Sequence, residues 1–580
     1  MRESRNRLRL VSVFIILFAL FIIGKLYLIQ IVSKEFYAEA AESQYIDANR
    51  FDRGSIFFTT KDGDNVPVAS VKTGSTLFIN PKNLVGTDLE KVYDALNAIT
   101  ELERETFFVK AAKVEDPYEV LAQRLPANIA EKIRALKING VGVASERWRI
   151  YPGETSAAHV IGLIGFLGDE LGGRYGLESF YEEVLRRDKD ELFVNFFAEI
   201  FSNIKKAVSV EESPEGDIVS TIEPSVETYL EAELNDVMET YGSDFTGGVI
   251  INPMTGEIIA MALTPSFNPN SFQGESSTAI FRNRIVEDRY EMGSILKAVT
   301  LAIGLDTGVI TAKNTYNDPG CMTLNTRTFC NYDGKSHGTV VSMQTVLSKS
   351  LNTGAANIVL RVGSAKFSEL MLDFGFEDIT GIDLPNEGKS LVSNLRAGRD
   401  LETAQASFGQ GIALTPIMTV RALSALANGG TLITPHLVKE IRYKLGPVKT
   451  VAHPPEEERV RVLKPETSAE ISRMLTEVVD RTLRNGEVRL DQYSIAAKTG
   501  TAQVAKPGGG GYYEDVYLHS FFGYFPAYDP EFLVFLYTYH PKDVQFASET
   551  LTDAFINTTK FLINYYNIAP DREAPPSARP

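Results

Sequence analysis

Three short stretches of this chain hold side chains able to run serine acyl chemistry: Ser294-Ile-Leu-Lys297, Ser350-Leu-Asn352 and Lys498-Thr-Gly500. A serine hydroxyl is a poor nucleophile until a neighbouring base takes its proton, and a lysine does so only as a free amine. Three residues is nearly one helical turn, so Ser294 and Lys297 share a face. Ala-Val-Thr-Leu-Ala-Ile follows Lys297, consistent with burial, which lowers an amine's proton affinity. Ser294 would sit at the positive end of the helix dipole, where a developing alkoxide is favoured. In this chemistry Ser350 can relay a proton from Lys297 to a leaving amine, and the Asn352 amide can hold the lysine or the substrate. Lys498 and Thr499 can bind a terminal carboxylate. Gly500, after small residues, lets a substrate backbone approach closely. The backbone N–H groups of Ser294 and Thr501 are the candidates for an oxyanion hole.

Ser-x-x-Lys is a weak signal alone, with about two chance matches expected in a chain of this length. Decoys are present: Ser202 to Lys205, a second Ser-x-Asn at Ser266 to Asn268, and a second Lys-Thr-Gly at Lys72 to Gly74. Context separates them. Only Ser294 follows a glycine and opens an apolar run of helical length, and Lys72 precedes the nucleophile in a different region.

The elements that must position these groups are partly readable. Residues 225–241 carry apolar positions at helical spacing and should open a second domain. Two runs, 248–251 and 257–261, flank Asn252-Pro-Met-Thr-Gly256 and read as a hairpin. Two further strands, 520–524 and 532–538, turn at Tyr528-Asp-Pro530. Hairpins early and late with helices between predict an antiparallel sheet built from both sequence ends, packed between helices: an α+β domain. Ser350 and Asn352 follow a predicted helix that starts near Val341 and ends in a polar turn. Gly508 to Gly511 reads as a connection between strands, since no Gly-Lys-Ser/Thr or helix follows to make a phosphate cradle.

The 580 residues allow several domains, and a net charge of −17 argues against a nucleic-acid partner. No HExxH or Cys/His zinc spacing occurs, so no metal or other cofactor is expected. An apolar run spans residues 10–24 and resumes after Lys25 as far as Val32, close to the roughly 20 that cross a bilayer, and it follows Arg2, Arg5, Arg7 and Arg9. The reading is a single transmembrane anchor with residues 1–9 in the cytoplasm and the rest exported. A cleaved signal peptide is the alternative, but Ala38-Glu-Ala40 lies well beyond the apolar core. Residues 33–45 read as a helix leaving the membrane. In an exported domain Cys321 and Cys330 either form a disulfide or remain two free thiols. The Pro-rich segment 567–580 is expected to be disordered.

With the ordered triplets stand further segments: Arg53-Gly-Ser-Ile56, Arg149-Ile-Tyr-Pro-Gly153 and Gly176-Leu-Glu178 early, then Asn252 to Met261, Asn283 to Ser294, Ala406 to Ile412 and Ala427 to Gly430. Together they resemble the class B high-molecular-mass penicillin-binding proteins, monofunctional peptidoglycan D,D-transpeptidases, from residue 8 to about 560. Met292 departs from the family's usual proline, and Ala298 follows the lysine where proline is usual. The resemblance implies an elongated α+β pedestal or dimerisation domain over 33–235 and a penicillin-binding transpeptidase domain over 236–566. It implies that Ser294 attacks the D-Ala-D-Ala stem peptide and passes the acyl group to a neighbouring stem's amine, and that β-lactams trap the same serine. Ser350 to Asn352, followed by Thr-Gly-Ala-Ala, is similar to the division-associated branch. That branch implies a septal role in cell-wall synthesis at the bacterial membrane, with a polytopic lipid II-polymerising glycosyltransferase and other division or elongation proteins as partners. A serine β-lactamase, a bifunctional glycosyltransferase-transpeptidase and a non-catalytic envelope scaffold are the rivals. The long anchored chain argues against the first, the early motifs against the second, and the intact trio against the third.

Overall fold

The computed structural model describes residues 18, 51–168, 170–187, 215–444, 447–451 and 459–573. The predicted anchor (apart from Phe18), the helix expected over 33–45, the decoy Ser202 and residues 574–580 lie outside the described residues. Among the described residues no helix is long and apolar enough to cross a membrane. The chain divides into two compact units, Met1–Arg53 with Val71–Ile150, and Gly54–Ser70 with Tyr151–Pro580.

The smaller unit holds the helices Leu89–Asn97, Arg104–Ala111 and Ala127–Ala135 and the strands Glu119–Leu125 and Val141–Ile150. Asp88 caps the first helix, its carboxylate accepting from the Lys91 N–H. Leu77, Ile79, Leu96, Phe107 and Ile133 form its core. The decoy Lys72 to Gly74 falls here. Gly74 is small for a local reason: a Cβ there would lie 2.8 Å from the Trp148 ring.

The larger unit is organised by a five-stranded antiparallel sheet. Its strands are β1 (Phe245–Ile251), β2 (Ile258–Thr264), β3 (Ala496–Ala505), β4 (Tyr512–Phe525) and β5 (Phe532–Tyr539). The order across the sheet is β3-β4-β5-β1-β2, so strands from both ends of the sequence meet in its centre. Both predicted hairpins are present, and Asn252 builds the first turn by accepting from the N–H groups of Met254 and Thr255. The helix expected over 225–241 runs Pro224–Tyr241. Pro224 stands in its first turn, the Glu223 carboxylate caps it through the Val226 N–H, and Gly242 closes it in the left-handed region.

Side chains alternate along the strands, and both faces are covered. Ile250, Val534, Leu536 and Phe521 pack with Val226, Leu230 and Phe555 of the helices Pro224–Tyr241 and Thr552–Tyr566. Val249, Phe522, Phe535 and Tyr537 face the larger core, which contains the helix Leu296–Asp306. That helix is buried from Leu296 through Gly304, all round, which explains why its sequence is apolar apart from Lys297 and Thr300. Gly508 to Gly511 connects β3 to β4, as expected.

The tail departs from expectation over its first part. Ile568 is buried, the Asp571 carboxylate accepts from the Ser494 N–H, and Arg572 pairs with Asp480 at 2.8 Å. A composition rich in proline did not reveal that these residues close one end of the core.

Candidate active site

The nucleophile candidate sits in a tight turn. Gly293–Ile295 forms one turn of 3₁₀ helix that runs into the helix Leu296–Asp306, so Ser294 stands just before the helix and Lys297 in its first turn. Gly293 has a φ of 63° and lies against β3, where a Cβ would approach Thr501 O to 2.6 Å. Only glycine fits there. Gly500 has the same duty from the other side: its Cβ would meet Ser520 Oγ at 2.5 Å and Met292 O at 2.8 Å. Sequence reasoning assigned Gly500's small size to an incoming peptide. The backbone that approaches it is the chain's own nucleophile turn.

Lys297 Nζ lies 2.9 Å from Ser294 Oγ, 2.6 Å from the Ser350 carbonyl oxygen and 3.1 Å from Ser350 Oγ. A neutral amine satisfies all three contacts, giving its two N–H bonds to Ser350 and its lone pair to the Ser294 hydroxyl. Lys297 is only 1% exposed. Burial first, and then the charge of Lys498, hold its proton affinity well below that of an ordinary lysine.

Ser350 reaches this position through the turn between two helices, Met343–Ser348 and Asn352–Val362, with φ at 56°. A non-glycine residue there is strained, and the strain sits at a point where the carbonyl must face the lysine. Asn352 lines the same cleft and makes a contact that its sequence position does not suggest. Its side-chain amide donates to the Cys330 carbonyl at 2.7 Å, not to Lys297. Cys321 and Cys330 form a disulfide across a two-stranded hairpin, Cys321–Leu324 with Arg327–Cys330.

A buried polar cluster fixes that hairpin to the same helix. The Asp318 carboxylate accepts from Thr353 Oγ1 at 2.7 Å, from the Gly320 and His337 N–H groups and from Asn331 Nδ2. Burial alone would raise this carboxyl's pKa; the hydrogen bonds, Thr353's foremost, outweigh it and hold the pKa below the usual value. Nothing in the sequence pointed to this cluster except the nearness of Asn331 to Cys330.

On the opposite wall runs β3, the edge strand of the sheet. Lys498 pairs in register with Phe522, Gly500 with Ser520 and Thr501 with His519. Lys498 is 3% exposed, its ammonium donating to Thr499 O at 2.9 Å, and burial pushes its pKa down to about 8. Thr501 Oγ1 accepts from the Ala547 N–H.

These groups line one cleft of about 900 Å³. Ser294, Lys297, Ser350, Asn352, Lys498, Thr499 and Thr501 all face it. Gly500 lies in the floor, behind the nucleophile turn. Sequence reasoning missed the aromatic part of the lining, Phe329, Tyr332, Phe408, Tyr517 and Phe546. Single aromatics in loops carry no local pattern that marks them.

Comparison with known proteins gives two family matches: the penicillin binding protein transpeptidase domain over residues 246–558, and the penicillin-binding protein dimerisation domain over residues 51–217. The chain is 31% identical over 549 residues to the stage V sporulation protein D of Bacillus subtilis (strain 168), covering 93% of this chain and 82% of that one. It is 26% identical over 513 residues to the peptidoglycan D,D-transpeptidase FtsI of Buchnera aphidicola subsp. Schizaphis graminum, covering 87% and 85%. Among solved structures, penicillin binding protein 2X from Streptococcus thermophilus shares the fold. Its TM-score is 0.72 at 19% identity, over 90% of this chain and 81% of that chain.

Proposed function

The chain belongs to the class B penicillin-binding proteins, built from a dimerisation domain and a transpeptidase domain, and from that membership we propose how its own residues carry out the reaction. It is a peptidoglycan D,D-transpeptidase that cross-links stem peptides through a serine acyl-enzyme and is acylated by β-lactams. The neutral amine of Lys297 takes the Ser294 hydroxyl proton as Oγ attacks the carbonyl of the D-Ala-D-Ala bond. The N–H groups of Ser294 and Thr501 stabilise the oxyanion, Ser350 returns the proton to the departing D-alanine amine, and the acyl-enzyme forms. A neighbouring stem's amine then attacks the ester and restores Ser294. The donor peptide lies extended along the free edge of β3, its carboxylate held by Lys498 and Thr499, with Gly500 keeping the strand close to the nucleophile. Asn352 acts by holding the disulfide hairpin in place beside Ser350.

One observation carries this reading: a lysine amine, almost wholly buried, 2.9 Å from the serine hydroxyl it must deprotonate. The remaining assignments rest on sequence. Residues 10–32 form a single-pass anchor at the bacterial cell membrane, with residues 1–9 cytoplasmic and the catalytic domain outside. The pedestal spans 33–235 and the transpeptidase domain 236–566. The role is septal, beside a polytopic lipid II-polymerising glycosyltransferase.

Labelling with a fluorescent penicillin tests the core of the proposal. Wild type should carry one covalent adduct on the peptide containing Ser294, and Ser294→Ala should carry none. Undiminished labelling of the variant, or an adduct on another serine, would overturn it.

A further inference from the structure

Two aromatic side chains that line the cleft meet each other. Tyr332 and Phe546 have ring centroids 5.9 Å apart at an interplanar angle of 82°, an edge-to-face contact. They remain 61% and 36% exposed, so neither is held there by a surrounding core. Both line the cleft that contains Ser294.

The rings belong to opposite walls. Tyr332 directly follows Asn331, whose amide donates to both Asp318 oxygens at 3.1 Å, and Cys330, whose carbonyl takes the Asn352 amide. It therefore moves with the wall that carries Ser350 and Asn352. Phe546 is pinned on both flanks to the wall that carries Lys498 and Thr501. The Ala547 N–H donates to Thr501 Oγ1 at 3.1 Å, and His519 Nε2 donates to Gln545 O at 3.1 Å. A carbonyl can only accept, so Nε2 carries the proton and Nδ1 accepts from Thr550 Oγ1 at 2.9 Å. Arg484 also reaches the Ser548 carbonyl and the Asp553 carboxylate. Both flanking backbones are held by hydrogen bonds, while the two side chains are exposed. A contact joining two walls must span the space between them.

We propose that Tyr332 and Phe546 form a size-selecting aromatic bridge over the cleft. Acyl groups too bulky to pass beneath the rings reach Ser294 only after they part, whereas small ones enter without that step. The inference rests on the acylation of Ser294 proposed above. The bridge contact is worth a factor of about 2 to 10 in the closed-to-open ratio, the usual strength of an aromatic pair.

The test compares second-order acylation rates of full-length protein with 6-aminopenicillanic acid, which lacks an acyl side chain, and with piperacillin, whose side chain is bulky. Tyr332→Ala and Phe546→Ala should each speed piperacillin acylation about 2- to 10-fold and leave the small compound unchanged. The double variant should gain no more than either single one, because both remove one contact. Tyr332→Phe should behave as wild type. Thermal unfolding midpoints within a degree or two of wild type would show that the exposed substitutions leave the fold intact. Rates that rise equally for both compounds, fall, do not change, or add in the double variant would overturn the bridge. Wild type that fails to acylate at Ser294 at all would instead overturn the underlying assignment.

Discussion

The ammonium of Lys498 presses electrostatically on the amine of Lys297: after burial, it is the second cause of the depressed proton affinity of Lys297. Two lysines buried in one wall-lined space cannot both hold a proton cheaply. With Lys498 charged below about pH 8, Lys297 is the one that gives way.

A pH profile reports this coupling. Acylation needs Lys297 neutral, so its acid limb follows the Lys297 proton. Lys498→Met removes the neighbouring charge, raises the Lys297 proton affinity and shifts the acid limb to higher pH. Lys498→Arg keeps the charge and leaves that limb in place. In wild type an alkaline limb should appear near pH 8, where Lys498 loses the charge proposed above to hold the substrate carboxylate; the arginine variant should lack it. An acid limb unmoved in Lys498→Met would show that the two amines do not interact.

Ser350 separates strain from chemistry. Its φ of 56° costs an L-residue about 1–2 kcal/mol. Ser350→Gly should therefore be more stable than Ser350→Ala by roughly 1 kcal/mol. Both lack the hydroxyl proposed above to relay the proton, and acylation should fall about 10²-fold or more in each. Thermal unfolding and stopped-flow acylation on the pair settle both halves. Equal stability of the two variants would mean that the turn relaxes without cost.

Gly500→Ala places a methyl group where Ser520 Oγ and the Met292 carbonyl already stand, at 2.5 and 2.8 Å. The nucleophile turn must retreat from β3. A shift on the order of 1 Å is enough to lose about 10²-fold in acylation. The far-UV spectrum should be retained, since Gly500 still pairs with Ser520 in the ladder. Normal acylation by this variant would show that the turn and the strand are not in the contact described.

Replacing Cys321 and Cys330 by serine opens a short loop, sequence separation 9, for an expected loss of about 2–3 kcal/mol. The Asp318 cluster should keep the hairpin near its helix, so acylation should weaken less than in Ser350→Ala. Denaturant melts with and without reductant check the first number, and acylation rates the second. Unchanged stability of wild type under reductant would contradict the stabilising role of the bridge.

Much of this site was legible because its parts are local. Ser294 and Lys297 lie one turn apart, Ser350 and Asn352 occupy one inter-helix turn, and the Lys498 strand is a run of small residues. Short apolar runs flanking Pro-containing turns marked β1, β2, β4 and β5, and apolar residues at helical spacing marked the helix Pro224–Tyr241. What sequence could not give is which carbonyl an amide will find. The Asn352 amide donates to the Cys330 carbonyl, a partner 22 residues away that no local pattern marks. Gly500 was read for what it lets in, when it is occupied by Met292 and Ser520. His519, Phe546 and Tyr332 acquire roles only through partners distant in the chain. The tail misled because proline content describes backbone stiffness, whereas Ile568 and Arg572 are decided by the surface they meet.

Thr246 of β1 and Thr538 of β5 touch in the middle of the sheet although 292 residues separate them in sequence. The first hairpin of the domain therefore waits, unpaired on one side, until nearly the whole polypeptide has been made. The segments that carry Ser294, Lys297, Ser350 and Lys498 are threaded between those two strands, so a chain truncated before β5 lacks the assembled site. Closure of so long a loop is therefore a condition for antibiotic capture.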